Sequence, residues 1–418
     1  MTWIERLQRL SGFSDQLTGV LIGFLIFLPA ISIGIHGGYY ANIFAALADG
    51  SHKSFAILNF IALPVSCIVI ACQIAGILYL TRILKDIPVL MKIVPERTSI
   101  ASPDKSFIIQ SSQRDGEPAG NMEGGSDISI VDEICLEIKR GFSNKRSYYS
   151  FVFLILAPFL LLDIWFMLIR SDRDALLFEP SGRLQFAFEM YGMLTAYFIE
   201  YLMAIMIWII IHIYRTFKLV GNNKYKPHIQ IDLFSIDGIG GLGQARDSIK
   251  GIALYYFGCM TLAILTFSIS LSSVFYDIDK RFFFETKLAI ELSYLTQIFM
   301  YIILLIFGLY YLWLIYQEIR RIFNKFIFEE CSFNSKIYNE KRSRLQKEFS
   351  EIYNEKSNEE IKRLCADLEI INADRENLMR SAKSGLSPSI ILTIAGSFLS
   401  SLAIPILTAI EIIQKIMK

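Results

Sequence analysis

The chain has 418 residues, of which 53% are hydrophobic, and its mean hydropathy of +0.44 lies above that of ordinary soluble domains. Its formal net charge is only +1, and no Lys/Arg run has the density of a nucleic-acid-binding arm, so nucleic acid is not an expected partner. The cysteines and histidines lack the spacing of zinc ligands, and the sequence therefore predicts no metal site and no cofactor.

Six stretches are each apolar over about 20 residues, the length that a helix needs to cross the hydrocarbon of a bilayer. They lie near residues 17–35, 55–80, 149–169, 190–214, 252–275 and 288–316. A seventh stretch, 389–412, is predicted either to span the bilayer or to enter it as a re-entrant helix. Because lipid offers no hydrogen-bond partners to the backbone, these stretches must be helical. The sequence predicts an all-α, polytopic membrane bundle of six to seven transmembrane helices.

The loops alternate in their content of Lys and Arg, which predicts the orientation of the chain. The loops after the second and fourth spans are basic, whereas the other loops carry few basic residues. The positive-inside rule therefore places these two loops and the N-terminus in the cytoplasm, with the chain crossing the plasma or inner membrane several times. The outer loops are short, so any ligand is expected to be met inside the membrane or in the cytosol.

The first two spans belong to residues 1–97, and the next segment, 98–127, is rich in Ser, Gly, Pro and charged residues. This composition is typical of a disordered cytoplasmic linker. Residues 128–319 then carry an amphipathic interfacial helix and four further spans. The apolar positions that predict the interfacial helix recur at helical spacing: Ile130, Val131, Ile134 and Ile138.

A glycine-rich cytoplasmic loop, 229–243, joins the fourth and fifth spans. It contains Gly-x-Gly-x-x-Gly after a strand-like run, but no second strand follows and the next helix enters the bilayer, which argues against a dinucleotide site. We predict either a tight structural loop or a gating or binding loop, because glycines permit unusual backbone angles and aspartates cap backbone amides. The residues concerned are Asp232, Asp237, Gly238, Gly240, Gly241 and Gly243.

The run Asp-x-x-Gly-Gly-Leu-Gly at 237–243 resembles a short signature of uncharacterised bacterial and archaeal multi-span membrane proteins, in which it follows a His-Pro pair. Ser235 and Ile236 stand at that position here. The resemblance covers seven residues and implies only a location between membrane helices.

Two carboxylates lie inside predicted spans, Asp163 in the third and Glu200 in the fourth. An ionisable side chain in a span costs roughly 2.5–3.5 kcal/mol on insertion scales, so both are expected to face the bundle interior or a water-filled cavity. They are predicted at similar depth on antiparallel helices. Either they share a proton or bind a small cation, or they accept hydrogen bonds from nearby tyrosines and are structural.

The fifth span presents Thr266, Ser270 and Ser273 on one helical face. Hydroxyl side chains in membrane helices bond to the carbonyl four residues earlier or join neighbouring helices. This face therefore predicts either tight packing or the lining of a pore.

Residues 320–385 are polar and are predicted to form two cytoplasmic helices broken near Asn358. Their narrow apolar stripes predict pairing with another helix, either as a hairpin within the chain or as a coiled coil between the subunits of a homo-oligomer. The stripes consist of Leu345, Phe349 and Ile352, followed by Ile361, Leu364, Leu368 and Ile371. The last segment, 386–418, is predicted to start its helix at Pro388 and to be interrupted at Pro405.

Three classes of function compete. The intramembrane carboxylates and the Ser/Thr face favour passage of ions or small solutes, whereas the linker and the cytoplasmic helices favour a membrane-anchored sensor or scaffold. No catalytic motif of a metalloprotease or serine hydrolase occurs in any span, so an enzyme is not expected.

The predicted orientation is testable with single cysteines. In intact cells, Ser111→Cys and Asn222→Cys should resist a membrane-impermeant thiol reagent because both lie in basic loops, whereas Ser181→Cys should be labelled. Labelling of either of the first two would reverse the orientation.

Overall fold

The computed structural model describes residues 3–36, 44, 53–93, 130–142, 144–168, 180–222, 229, 243–275, 287–351, 362–363, 365–373, 376 and 388–416. The helices in these ranges are α1 (Trp3–Ser11), α2 (Asp15–His36), α3 (Lys53–Leu90), α4 (Ile130–Phe142), α5 (Lys145–Leu168), α6 (Pro180–Val220), α7 (Gly243–Phe275), α8 (Lys287–Glu351) and α9 (Pro388–Ile416).

Seven helices of the described chain are long and apolar enough to cross a membrane: α2, α3 and α5 to α9. The predicted all-α, multi-pass membrane bundle is therefore confirmed, and the seventh apolar stretch is one of its helices. The two short helices are amphipathic. α4 begins at Ile130 and buries Ile134, as the apolar spacing predicted, and α1 buries Ile4 against the bundle.

The bundle has a buried centre and a lipid-facing outer layer. The apolar windows of α3 and α6 are each 72% buried within the protein, whereas those of α5 and α9 are 17% and 22% buried. α3 packs against α2, α6 and α7, and α8 packs against α6, α7 and α9. α3 and α6 therefore form the core, and the exposed apolar side chains of α2, α5 and α9 face lipid.

α2 and α3 pack closely through small residues. Gly19 and Gly23 are four residues apart on α2, and they face Ala71 and Cys67, which are four apart on α3. A Cβ on Gly19 would lie 2.3 Å from the carbonyl oxygen of Ala71, and one on Gly23 would lie 2.8 Å from that of Cys67. This is the small-xxx-small packing by which membrane helices maximise van der Waals contact.

Hydroxyl groups join α7 to α9. Thr261 Oγ1 donates to Ser401 Oγ at 2.7 Å, and the hydroxyls of Ser268 and Thr408 lie 3.0 Å apart. Both contacts join residues that are 140 positions apart, so α9 runs parallel to α7. α9 therefore crosses the bundle and does not turn back as a re-entrant segment. The prediction that Pro405 interrupts this helix is wrong, because α9 continues from Pro388 to Ile416.

The sixth span and the first polar helix are one element. α8 is a continuous helix of 65 residues, about 97 Å long at 1.5 Å per residue. Beyond it, residues 365–373 are helical, and Lys341 on α8 binds Asp367 at 2.5 Å. The expected break near Asn358 lies outside the described residues, as do the side chains of Leu345, Phe349, Ile352, Ile361 and Leu364.

The whole of the linker 98–127 and most of the glycine-rich loop also lie outside the described residues. Asp232, Asp237, Gly238, Gly240 and Gly241 are among them, so the loop's role stays a prediction. Its two ends are described. Ile229 forms an isolated antiparallel bridge with Ile93 after α3, and Gly243 begins α7.

The close contact between α2 and α3 predicts the effect of a single methyl group. Gly19→Ala should destabilise the bundle by about 1–3 kcal/mol, since its Cβ would meet a backbone oxygen that cannot move without separating the helices. Thermal unfolding in detergent should show a midpoint several degrees lower. Gly258→Ala on α7 is the matched control, because a Cβ there meets nothing within 4 Å, and it should leave the midpoint unchanged.

Candidate functional site

Glu200 is a carboxylate of the membrane interior. It lies on α6, is 6% exposed, and its Oε1 accepts a hydrogen bond of 3.4 Å from the Tyr301 hydroxyl on α8. The Tyr301 ring packs at 5.4 Å from Phe159 and at 5.5 Å from Phe267. Glu200 therefore faces the interior of the bundle, one of the two settings that the sequence predicted, and its partner Tyr301 packs against rings of α5 and α7.

The tyrosines near the carboxylates were expected to donate hydrogen bonds to them, but their hydroxyls also have other partners. The Tyr191 hydroxyl donates to the carbonyl oxygen of Ile26, and the hydroxyls of Tyr201 and Tyr148 lie 3.0 Å apart. The donor that reaches Glu200 from α8, Tyr301, was not singled out from the sequence. Asp163 lies on α5, but its side chain is outside the described part of the structure, so its pairing with Glu200 stays a prediction.

Of the Ser/Thr face of α7, the structure describes one side chain, that of Thr266. Thr266 is buried, and its hydroxyl donates to the carbonyl of Leu262 in its own helix at 2.9 Å. The side chains of Ser270 and Ser273 lie outside the described residues. Ser268, on another face, bonds to α9. These contacts favour packing over the lining of a pore.

Gln73 is a buried polar residue that the sequence analysis did not single out. Its side chain on α3 is 0% exposed, and neither of its amide atoms has a hydrogen-bond partner among the described residues. It lies about one turn from Gly76, where a Cβ would meet Met206 of α6 and Tyr255 of α7. An unsatisfied buried polar group costs about 1–3 kcal/mol, so this position is an energetic weak point of the core.

A cavity of about 630 Å³ lies away from these groups, between the C-terminal end of α6 and the middle of α8. Four basic residues line it: Arg215, Lys218, Arg321 and Lys325. From the sequence, Arg215 and Lys218 contributed only to the basic character of the segment after the fourth span, which predicts the orientation. Their helical spacing was a usable signal, but nothing in the sequence places them opposite residues some 100 positions away.

The described residues contain no group of three or more His, Cys, Asp or Glu side chains that lie close enough together to hold a metal ion. No family model, curated protein or solved structure matches the chain. The resemblance of residues 237–243 to a membrane-protein signature stays a prediction. The fold itself defines the class: this is a multi-pass, α-helical integral membrane protein.

Proposed function

We propose that this membrane protein is a sensor or scaffold in which a cytoplasmic helical hairpin is rigidly continuous with the membrane bundle. The observation that carries the proposal is the unbroken course of α8. Its candidate membrane span ends at Phe326, and the helix continues to Glu351, roughly 38 Å further at 1.5 Å per residue. The proposed setting is the plasma or inner membrane, with the N-terminus and the hairpin in the cytoplasm.

A continuous helix transmits orientation from one end to the other. Within the bundle, α8 packs against α6, α7 and α9, so a shift of these helices changes its tilt. A tilt of 10° would displace a point 38 Å along a rigid helix by about 7 Å, which is comparable to known switching motions. Small changes among the membrane helices would therefore become larger displacements outside the membrane.

The ion pair between Lys341 and Asp367 supports a hairpin within one chain, because it joins α8 to the helical segment 365–373. We also propose that the helical segment 365–373 contacts a second copy of the chain and so forms a homo-oligomer. Leu368 and Ile371 are half-buried there, while Ile370 is 59% exposed, which leaves apolar surface for a second copy.

The rigid coupling can be measured with spin labels. Labels at Lys336→Cys on α8 and Gln244→Cys at the start of α7 should give a narrow distance distribution in electron paramagnetic resonance. Phe328→Pro should broaden it, because proline removes a backbone hydrogen bond and costs about 3 kcal/mol or more inside a helix. Three native cysteines outside the spans are first replaced by serine: Cys135, Cys331 and Cys365.

Phe328 suits this test because its side chain is 75% exposed, so its loss removes little packing. Phe328→Ala is the matched control and should keep the distribution narrow. A broad distribution without the proline would mean that the hairpin moves independently of the bundle, and the proposed coupling would fail.

Passage of an ion or small solute is the second candidate, and the burial of Glu200 beside Tyr301 favours it. A carboxylate in the membrane interior is costly and commonly marks a proton or cation pathway. Packing of Thr266 within its own helix argues in the other direction. The two candidates make different predictions for a sealed vesicle.

In liposomes under a proton or cation gradient, passage predicts that the wild-type protein dissipates the gradient. Glu200→Gln combined with Asp163→Asn should slow dissipation at least tenfold, because both changes keep shape and delete charge. Glu411→Gln, at an exposed position near the end of α9, is the control and should conduct like the wild type. If the wild-type protein dissipates neither gradient, passage of protons and of the tested cation is excluded.

A further inference from the structure

Four basic side chains line the cavity between α6 and α8, at the same height along the two helices. Arg215 and Lys218 are three residues apart on α6, and Arg321 and Lys325 are four apart on α8. Residues at these spacings lie on the same face of a helix. The two helices are parallel, because Glu200 contacts Tyr301 and Gly221 approaches Ile322 further along. The two basic pairs therefore face one space.

Acidic neighbours offset only part of this charge. Glu318 binds Arg321 at 2.7 Å, and Glu329 lies one turn beyond Lys325 on the same helix. The stretch of α6 from His212 to Val220 contains no Asp or Glu. Among the described residues at the cavity, four cations are accompanied by two carboxylates, so this part of the protein carries a net positive charge. A helix C-terminus favours cations near its carbonyls, which accounts for Lys218 but not for the pair on α8, where the helix continues.

The position and shape of the cavity indicate the kind of anion. The candidate membrane spans end at Val220 on α6 and at Phe326 on α8, and the four cations lie in the last two turns of these spans. This position is the one expected for contact with lipid headgroups and water. Its volume of about 630 Å³ falls within the range of roughly 300–1,000 Å³ for small-molecule sites. Leu219 and Ile322 supply an apolar wall, which suits a ligand that is only partly polar.

Arginine and lysine together are suited to phosphate. A guanidinium presents two parallel N–H donors to two phosphate oxygens, and an ammonium adds a compact point charge. A multiply charged oxyanion can be shared by several cations, which relieves the repulsion among them. A single carboxylate carries one charge and two oxygens and cannot engage all four.

We propose that this cavity, formed by Arg215, Lys218, Arg321 and Lys325, is a binding site for a phosphate group, carried either by a lipid headgroup or by a soluble phosphate. The site stands independently of the proposed sensor function, since binding requires only the α6–α8 geometry. Its ligand approaches at the membrane surface, with the phosphate between the two helices and any apolar part against Leu219 and Ile322.

Two binding measurements on the full-length protein distinguish the sources. The lipid arm titrates phosphatidic acid, whose phosphomonoester can carry two charges, against phosphatidylcholine in detergent and counts bound lipids by native mass spectrometry. The soluble arm titrates pyrophosphate into the same preparation by calorimetry. For whichever probe binds, Lys218→Gln and Arg321→Gln should each weaken binding at least about tenfold, because each removes a charge-assisted hydrogen bond. Arg321→Lys keeps the charge and should lose less.

Arg320→Gln is the matched control, because Arg320 is an exposed neighbour of Arg321 on the same helix and does not line the cavity. It should bind like the wild type. Loss confined to the lipid arm identifies a headgroup as the ligand, and loss confined to the pyrophosphate arm identifies a soluble phosphate. If neither probe binds the wild-type protein, or if Arg320→Gln weakens binding as much as Arg321→Gln, the cavity is not a phosphate site. Unchanged elution on gel filtration shows that the variants are folded.

Discussion

The structure depends on one constraint, namely that hydrocarbon offers no hydrogen-bond partner to a backbone or side-chain polar group. It makes each long apolar segment a helix, and it determines how the polar residues within those helices are used. Thr266 donates to a carbonyl of its own helix, and Ser401 joins α9 to α7 through Thr261 and the carbonyl of Phe257. Glu200 accepts from Tyr301 across α6 and α8. These hydrogen bonds make the polar groups concerned part of the packing of the bundle.

Packing in such a bundle cannot rely on expelling apolar surface from water, because lipid is as apolar as the side chains. Close approach of helices takes over that role. Gly19 and Gly23 bring α2 onto α3, and the same contact leaves the other faces of α3 to α6 and α7. Gln73 also lies on α3, and its amide has no described hydrogen-bond partner. A buried polar group without a partner lowers the stability of the fold. The two buried polar side chains that cost stability, Gln73 and Glu200, both lie on the central helices α3 and α6.

The spans were predictable because length and hydropathy are local properties of the chain. The partners of each span were not, since the hydroxyls of Thr261 and Ser401 meet across 140 positions and those of Ser268 and Thr408 do likewise. The continuity of α8 was missed for a different reason. Hydropathy falls after residue 316, but loss of apolarity does not stop a helix, and no proline or helix-capping glycine follows before Glu351. The basic cavity was missed because its two halves lie on helices whose pairing is a tertiary property.

α8 lines the cavity and also forms the first helix of the proposed hairpin. Binding of a ligand in the cavity is therefore linked to the orientation of the hairpin. A ligand that needs cations from both helices binds only where α6 and α8 lie at the spacing seen here. By mass action it must then stabilise that spacing over any other. The contact at Gly221 makes the spacing specific, because even a Cβ there would lie 3.1 Å from the Ile322 side chain. Since α8 leaves the bundle directly beyond this contact, a phosphate-bearing ligand would favour one direction of the hairpin. We therefore expect that occupancy of the cavity shifts the mean of the narrow distance distribution between the hairpin and the bundle.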